Sequence, residues 1–361
     1  MDARLQTPSR AALLRALPPI ALLTFLFAVL IAAPALAAEP GNAYPRRNLV
    51  SDGGVPAERF DPDLVNGWGL AASATGPWWV NAADSDKSVL YNRKGVKQTL
   101  VVDVSGEPTG IVFNGGPGFV IPGDGAARFL FAGEDGTISA WSPGLAPVTQ
   151  AVVVIDRSAE RASYKGLAID STTAGTRLYA ADFHNARVDV FGGDFSPVST
   201  AGGFLDPGLP DGYAPFGIQT IGGRIYVAYA LQDEEGDEEV TGPGLGVVDV
   251  YDLDGRLLAR VATGGALNAP WGMALAPGRF GRFGGRLLIG NFGNGRINAF
   301  DATTFEPKGH LKGTDGKAIV IDGLWGIAFG NGGAAGATNT LYFAAGPEDE
   351  EHGLFGRIDP P

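Results

Sequence analysis

The sequence predicts an all-β fold, a six-bladed β-propeller, and three observations carry that prediction. Beyond residue 45 no long stretch shows the 3.6-residue periodicity of a helix; short apolar or alternating runs are separated by Gly, Asn, Asp and Pro instead. The 361 residues include 55 glycines and 25 prolines, the punctuation of many short strands. A glycine flanked by bulky residues then recurs at Gly69, Gly110, Gly166, Gly217, Gly272 and Gly326, roughly 50 residues apart, the length of one four-stranded blade with its loops.

Each of these glycines marks an inner strand, where strands converge on the propeller axis and backbones approach closely. A second strand follows in every repeat: "WWVNAAD", "RFLFAGED", "RLYAAD", "RIYVAYA", "RLLIGNF" and "TLYFAAG". After a turn comes a third: "KSVLYN", "GTISAW", "ARVDVF", "GVVDVYD", "GRINAFD" and "GLFGRID". Blades 1 to 5 each offer a candidate outer strand, among them "KQTLVVDV", "PVTQAVVVID" and "RLLARVAT". After "GLFGRIDPP" none remains for blade 6. The expected donor is Arg46–Ser51, "RRNLVS", which would complete the last blade from the N-terminal side and remove the exposed edges. Trp68, Trp271 and Trp325 each precede an inner-strand glycine and are expected to pack between adjacent blades.

The first segment stands apart from this pattern. Arg4, Arg10 and Arg15 precede the apolar run Ile20 to Ala33, and Ala35-x-Ala37 supplies a small-residue cleavage site. Residues 1–37 therefore read as a secretory signal peptide and 38–361 as a single propeller domain, exported to the periplasm or beyond the cell. The apolar run is shorter than the roughly 20 residues of a spanning helix, so no membrane association is expected after cleavage. No cysteine is present, which excludes disulfides, thiolate zinc sites and a lipidated N-terminal cysteine. The net charge of −12 makes nucleic acid an unfavourable partner and favours cations or basic surfaces.

The stretch "YKGLAIDSTTAGTRLYAADFHNARVDVF", Tyr164 to Phe191, resembles an NHL repeat: a G-x-A-x-D strand, a second strand ending in Y-x-A-D, then N-x-R-V-x-V-F. "APWGMALAPG" with "LLIGNFGNGRINAFD" is similar, and "WWVNAADSDKSVLY" is looser. Blade 4 departs by inserting a long acidic loop, and blade 6 has neither the Asp nor the Asn-x-Arg pair. The whole resembles NHL/YVTN-like propellers, and in particular a group of uncharacterised exported bacterial propeller proteins whose mature chains begin with "NLVSD"-like sequence, here Asn48 to Asp52. The resemblance implies that Asp182, Asn185 and Arg187 make hydrogen bonds and charge pairs inside a blade, and it brings no established activity.

Loops between second and third strands of a propeller open on one face. Here they carry Asp84, Asp86, Glu134, Asp135, Asp182, the run Asp233–Glu239 and Glu348–Glu351. The expected function is therefore a binding or scaffolding module that uses an acidic face around the central channel, with Asp84, Asp86, Asp135, His184, Asp233, Glu235 and Asp237 as candidate binding residues for a protein, a cationic ligand or a small molecule. His184 lacks the partners that would make it a general base. The alternative, implied by other six-bladed propellers that hold calcium on their axis by Glu, Asn and Asp, is a Ca2+-dependent hydrolase or lactonase with Asn81, Glu134, Asp182 and Asn291 as ligands. Three scattered histidines, His184, His310 and His352, make a histidine-ligated metal the least favoured reading. Whether the chain is an enzyme stays open at this point, and a monomer is expected.

Overall fold

The computed structural model describes residues 41–361, and the signal peptide assigned to residues 1–37 lies outside the described residues. The described chain is a six-bladed propeller with only single-turn 3-10 segments at Ala83–Ser85, Ser158–Glu160 and Gly281–Phe283. Blade 1 comprises Gly67–Ala72, Trp78–Ala82, Lys87–Tyr91 and Lys97–Asp103. Blade 2 comprises Pro108–Phe113, Phe129–Gly133, Thr137–Trp141 and Val152–Asp156. Blade 3 has Tyr164–Thr172, Gly175–Asp182 and Arg187–Gly192; blade 4 has Tyr213–Ile221, Arg224–Gln232, Val247–Tyr251 and Leu257–Thr263. Blade 5 follows as Pro270–Leu275, Arg286–Asn291, Ile297–Asp301 and Pro307–His310, and blade 6 as Leu324–Phe329, Leu341–Ala345 and Leu354–Ile358. All these pairings are antiparallel.

Strand alternation explains how so many short elements bury a core. Adjacent residues of a strand face opposite sides, so Trp78 packs toward Leu49, Tyr342 and Phe355 while its neighbour Trp79 packs toward Phe129, Phe131 and Trp141 of blade 2. The same division recurs round the ring, apolar clusters joining successive blades, as with Leu130, Ile138 and Leu178 between blades 2 and 3. At the axis, close approach decides the residue type. A Cβ on Gly217 would overlap the backbone of Trp271, and one on Gly272 the carbonyl of Trp325. Each of the six repeated glycines lies in this way against the next blade's inner strand, and Gly326 returns the series to Trp68 and Leu70.

The N-terminal strand closes the ring as expected. Arg46–Ser51 pairs antiparallel with Leu354–Ile358, with a bulge between Asn48 and Val50, and Arg59–Phe60 adds a short parallel strand outside it. Tyr44, Leu49 and Val50 are fully buried. Tyr44 donates its hydroxyl to the Phe280 carbonyl at 3.0 Å and accepts from the Phe283 amide at 3.1 Å, which fastens the segment to blade 5 as well. Beyond the strand, Asp61 accepts from the Tyr91 hydroxyl at 2.6 Å and pairs with Lys97 at 2.7 Å, which fastens it to blade 1.

Blade 3 departs from expectation. Its outer edge is reduced to the isolated bridge between Phe191 and Pro197. The sequence there, "GGDFSPVSTAGGF", explains the loss: Pro197 has no N–H for a ladder, and paired glycines on both sides favour turns over a strand.

Candidate functional site

The loops between second and third strands meet around one end of the axis, where the residues that precede the six glycines also converge. Those residues are Trp68, Thr109, Lys165, Phe216, Trp271 and Trp325. Trp325 is the hub. It stacks on Trp68 at 3.7 Å between ring centroids and on Phe292 at 4.1 Å, and meets Trp271 edge-on at 5.9 Å. Phe216 adds a tilted contact at 5.5 Å. The expected packing of the tryptophans between blades 5, 6 and 1 is thus found, and it forms an aromatic plug at the axis.

Lys165 stands in this ring where other blades carry an aromatic or Thr. It is 1% exposed, and its ammonium lies 5.6 Å from the centre of the Trp68 ring. Glu134 forms a short hydrogen-bonded ion pair with it, and Glu238 approaches to 3.4 Å. Desolvation pulls the Lys165 ammonium down, but the charges of Glu134, Glu238 and Glu239 outweigh it and hold the pKa above the ordinary lysine value. Burial pushes Glu134 up in spite of its lysine partner.

Two further carboxylates share this environment. Burial raises Glu239 to about 8 and Glu350 to about 7, each also facing other carboxylates of the cluster. Glu350 accepts from the Asn66 amide at 2.6 Å, and the same amide donates to Asp84 at 3.0 Å. Glu239 Oε2 is wholly shielded from solvent and has no hydrogen-bond partner, and neither has the buried Trp68 Nε1. The site therefore holds more carboxylate than its single lysine can neutralise.

The sign of the resulting pH dependence follows from proton binding. A carboxyl whose folded pKa is raised keeps a proton that the unfolded chain has released, so stability present at low pH is lost as pH rises toward the folded value. For Glu239 the window runs from its ordinary value of 4.5 to about 8. Glu239→Gln should gain melting temperature relative to the parent as pH climbs through that window. Parallel curves for the two proteins between about pH 5 and 9 would show that Glu239 titrates normally.

The residues singled out from sequence fall into separate places. Asn81 donates to the Thr109 carbonyl at 2.9 Å, Asn291 donates to Ala266 at 2.8 Å, and Glu134 pairs with Lys165. Among the described residues, no hydrogen bond or ion pair links any two of Asn81, Glu134, Asp182 and Asn291. Register supplies the reason. Val80, Phe131, Ala180 and Ile289 are equivalent, each paired with the residue after its blade's glycine. Counted from there, Asn81 is one position on, Asp182 and Asn291 two, and Glu134 three, so alternation and the strand end send them in different directions.

Asp182 is blade architecture. Completely buried, it accepts from the Ser163 and Asn185 amides at 3.2 Å each and from Asn185 Nδ2 at 2.9 Å, and pairs with Arg187 at 3.2 Å. Asp86 accepts from the Glu107 amide at 3.0 Å, Asp135 from Thr137 at 2.9 Å, and Asp233 from the Gly236 amide at 2.7 Å, each bracing a loop. His184 and Asp237 do meet, at 2.7 Å, while Glu235 is exposed on the loop tip. Asp182→Ala should lower stability by about 1 to 3 kcal/mol through unpaired polar groups, and His184→Ala by less than about 1 kcal/mol because its partner is a half-exposed carboxylate. Urea unfolding of both variants checks the ranking. The reverse order would make His184 the structural residue.

Sequence reading placed Glu239 and Glu350 on the acidic face without singling them out, and missed Lys165 and Asn66. Lys165 had a signal, its place before a repeated glycine in "YKGLAID"; Glu239 starts a two-residue strand paired with Gln232 in the insertion of blade 4, and Glu350 lies in a loop, and neither position repeats between blades.

No protein-family model matches the chain. Among solved structures, a streptogramin B lyase superposes with a TM-score of 0.51 at 12% identity, covering 88% of this chain and 97% of its own. A glucose dehydrogenase superposes at 0.52 and 13% identity, covering 88% and 99%. At such identities the likeness is one of fold. Among curated proteins, "Uncharacterized protein R648" of Acanthamoeba polyphaga mimivirus is 32% identical over 330 residues, 86% of this chain and 78% of its own length. "Uncharacterized protein L690" of the same virus is 32% identical over 331 residues, covering 86% and 84%. This chain belongs to the family of those two mimivirus proteins.

Proposed function

We propose that the protein is an exported binding module that takes a cationic group into the acidic mouth of its propeller axis. One observation carries this reading: Glu134, Glu238, Glu239 and Glu350 surround a single buried ammonium, and one of their oxygens is shielded without a partner. Buried carboxylates in excess of their counter-charge are costly, and a cation that binds only the folded state would relieve that cost. The reading as a calcium-dependent hydrolase has in its favour the unpartnered, buried Asn81 Oδ1 and Asn291 Oδ1. Against it, these two amides face different neighbours, and among the described residues no group of three or more His, Asp or Glu is arranged to hold a metal ion.

The test is thermal unfolding with calcium chloride and with small organic ammonium salts, each against sodium chloride at matched ionic strength. Bound at 100 times its dissociation constant, a ligand contributes about 2.7 kcal/mol, a rise of several degrees, whereas screening alone affects all salts alike. At least one cation should exceed sodium, and Glu239→Gln should remove the excess. If every cation behaves like sodium, the mouth is a solvated rim and the proposal fails.

A further inference from the structure

We infer that the cation taken at this mouth is an organic ammonium group carried on an apolar body, seated beside Lys165 between the Glu239 and Glu350 carboxylates and the partly exposed rings of Trp271 and Phe292. This rests on the reading above and names its ligand. The protein already shows the chemistry within itself, because the Lys165 ammonium sits over the Trp68 face and is held by Glu134 and Glu238. A second ammonium would find the same two elements unused. The shielded Glu239 Oε2 lacks a donor, and Trp271 and Phe292, unlike Trp68 and Trp325, retain exposed surface.

The chain brings these elements together. Glu239 lies two residues before Thr241, which packs against Gly293, the neighbour of Phe292. Trp271 donates its indole N–H to the Lys165 carbonyl at 2.8 Å, which fixes that ring at the lysine's own position on the axis. Aromatic faces attract weakly hydrated organic cations, whereas a small divalent ion keeps its water or demands several oxygens at once. The dispersal of the carboxylates over blades 2, 4 and 6 suits the former.

Proton linkage gives an independent signature. The groups facing Glu239 are Lys165, Glu238 and Glu350; burial, reinforced by the two carboxylates and opposed by the lysine, raises it to about 8. An ammonium ligand needs the ionised form, so binding at pH 7 should release a proton, and affinity should rise up to about tenfold per pH unit until Glu239 is ionised.

The experiment is calorimetric titration of the purified protein with n-butylammonium chloride, calcium chloride and 1-butanol, at pH 7 and 8 and in two buffers of different ionisation enthalpy. The expected result is saturable butylammonium binding with proton release, no binding of butanol, and a loss of at least about tenfold in Glu239→Gln. Trp271→Leu should weaken butylammonium about threefold or more, measured at a temperature where the variant is fully folded. Calcium binding without butylammonium binding overturns this inference and leaves the cation site standing. Failure of both ions overturns the two together. Butylammonium binding that survives Glu239→Gln and Trp271→Leu unchanged places the ligand elsewhere and also overturns the inference.

Discussion

Removing residues 38–52 should abolish stable folding. Burial of Tyr44, Leu49 and Val50 contributes together about 4 to 8 kcal/mol, and the deletion also exposes the whole edge of Leu354–Ile358. Domains rarely hold more than about 5 to 15 kcal/mol in all. Leu49→Ala grades the same effect, with an expected loss of about 2 to 5 kcal/mol. Near-ultraviolet circular dichroism and limited proteolysis read the first variant, urea unfolding the second. A deleted protein that melts where the parent does would mean that the strand is ornamental and blade 6 stands on three strands.

The second large effect belongs to Lys165. In Lys165→Met the apolar stem is retained but Glu134 loses its counter-charge in a buried setting, and stability should fall by about 3 to 5 kcal/mol. Two further measurements separate charge from packing. Lys165→Met combined with Glu134→Gln should recover most of the loss, since neither partner is then charged. The single variant should also regain stability as pH falls, because protonating Glu134 removes the orphaned charge; the sign is that of a carboxyl whose folded pKa is raised. If the double variant is no better than the single one, the loss comes from the ammonium's contact with the Trp68 face and not from an orphaned carboxylate.

These expectations also show what the sequence discloses. The six glycines are legible because every blade meets the same steric demand at the axis, and the demand admits one residue type. The closing strand is legible by elimination, since blade 6 had no partner left. Blade 3 misled because a fourth strand was expected in it as in blades 1, 2, 4 and 5, although Pro197 and the flanking glycines prevent one. The axial site was half visible. Glu134 and the acidic loops could be placed on one face, but the choice of Asn81, Asp182 and Asn291 beside it assumed equal register, and a slip of one residue turns a strand side chain to the other side. Glu239 and Glu350 could be assigned to that face but not picked out from their neighbours, because their positions depend on how two unrepeated segments fold over the mouth.

The clasp between Arg46–Ser51 and Leu354–Ile358 has a consequence for the order of events in folding. Asp52 and His352, bonded at 2.9 Å, are 300 positions apart. The inner contacts of each blade are local and can form as the chain emerges, but the clasp cannot form until the last blade has been made. Contacts of such separation are slow to find one another, and for that interval Leu49 and Val50 are exposed beside unpaired backbone. Arg46 and Arg47 flank them, and charges at that place discourage strand-to-strand association. A first strand that begins with two charged residues thus suits a segment whose partner arrives last.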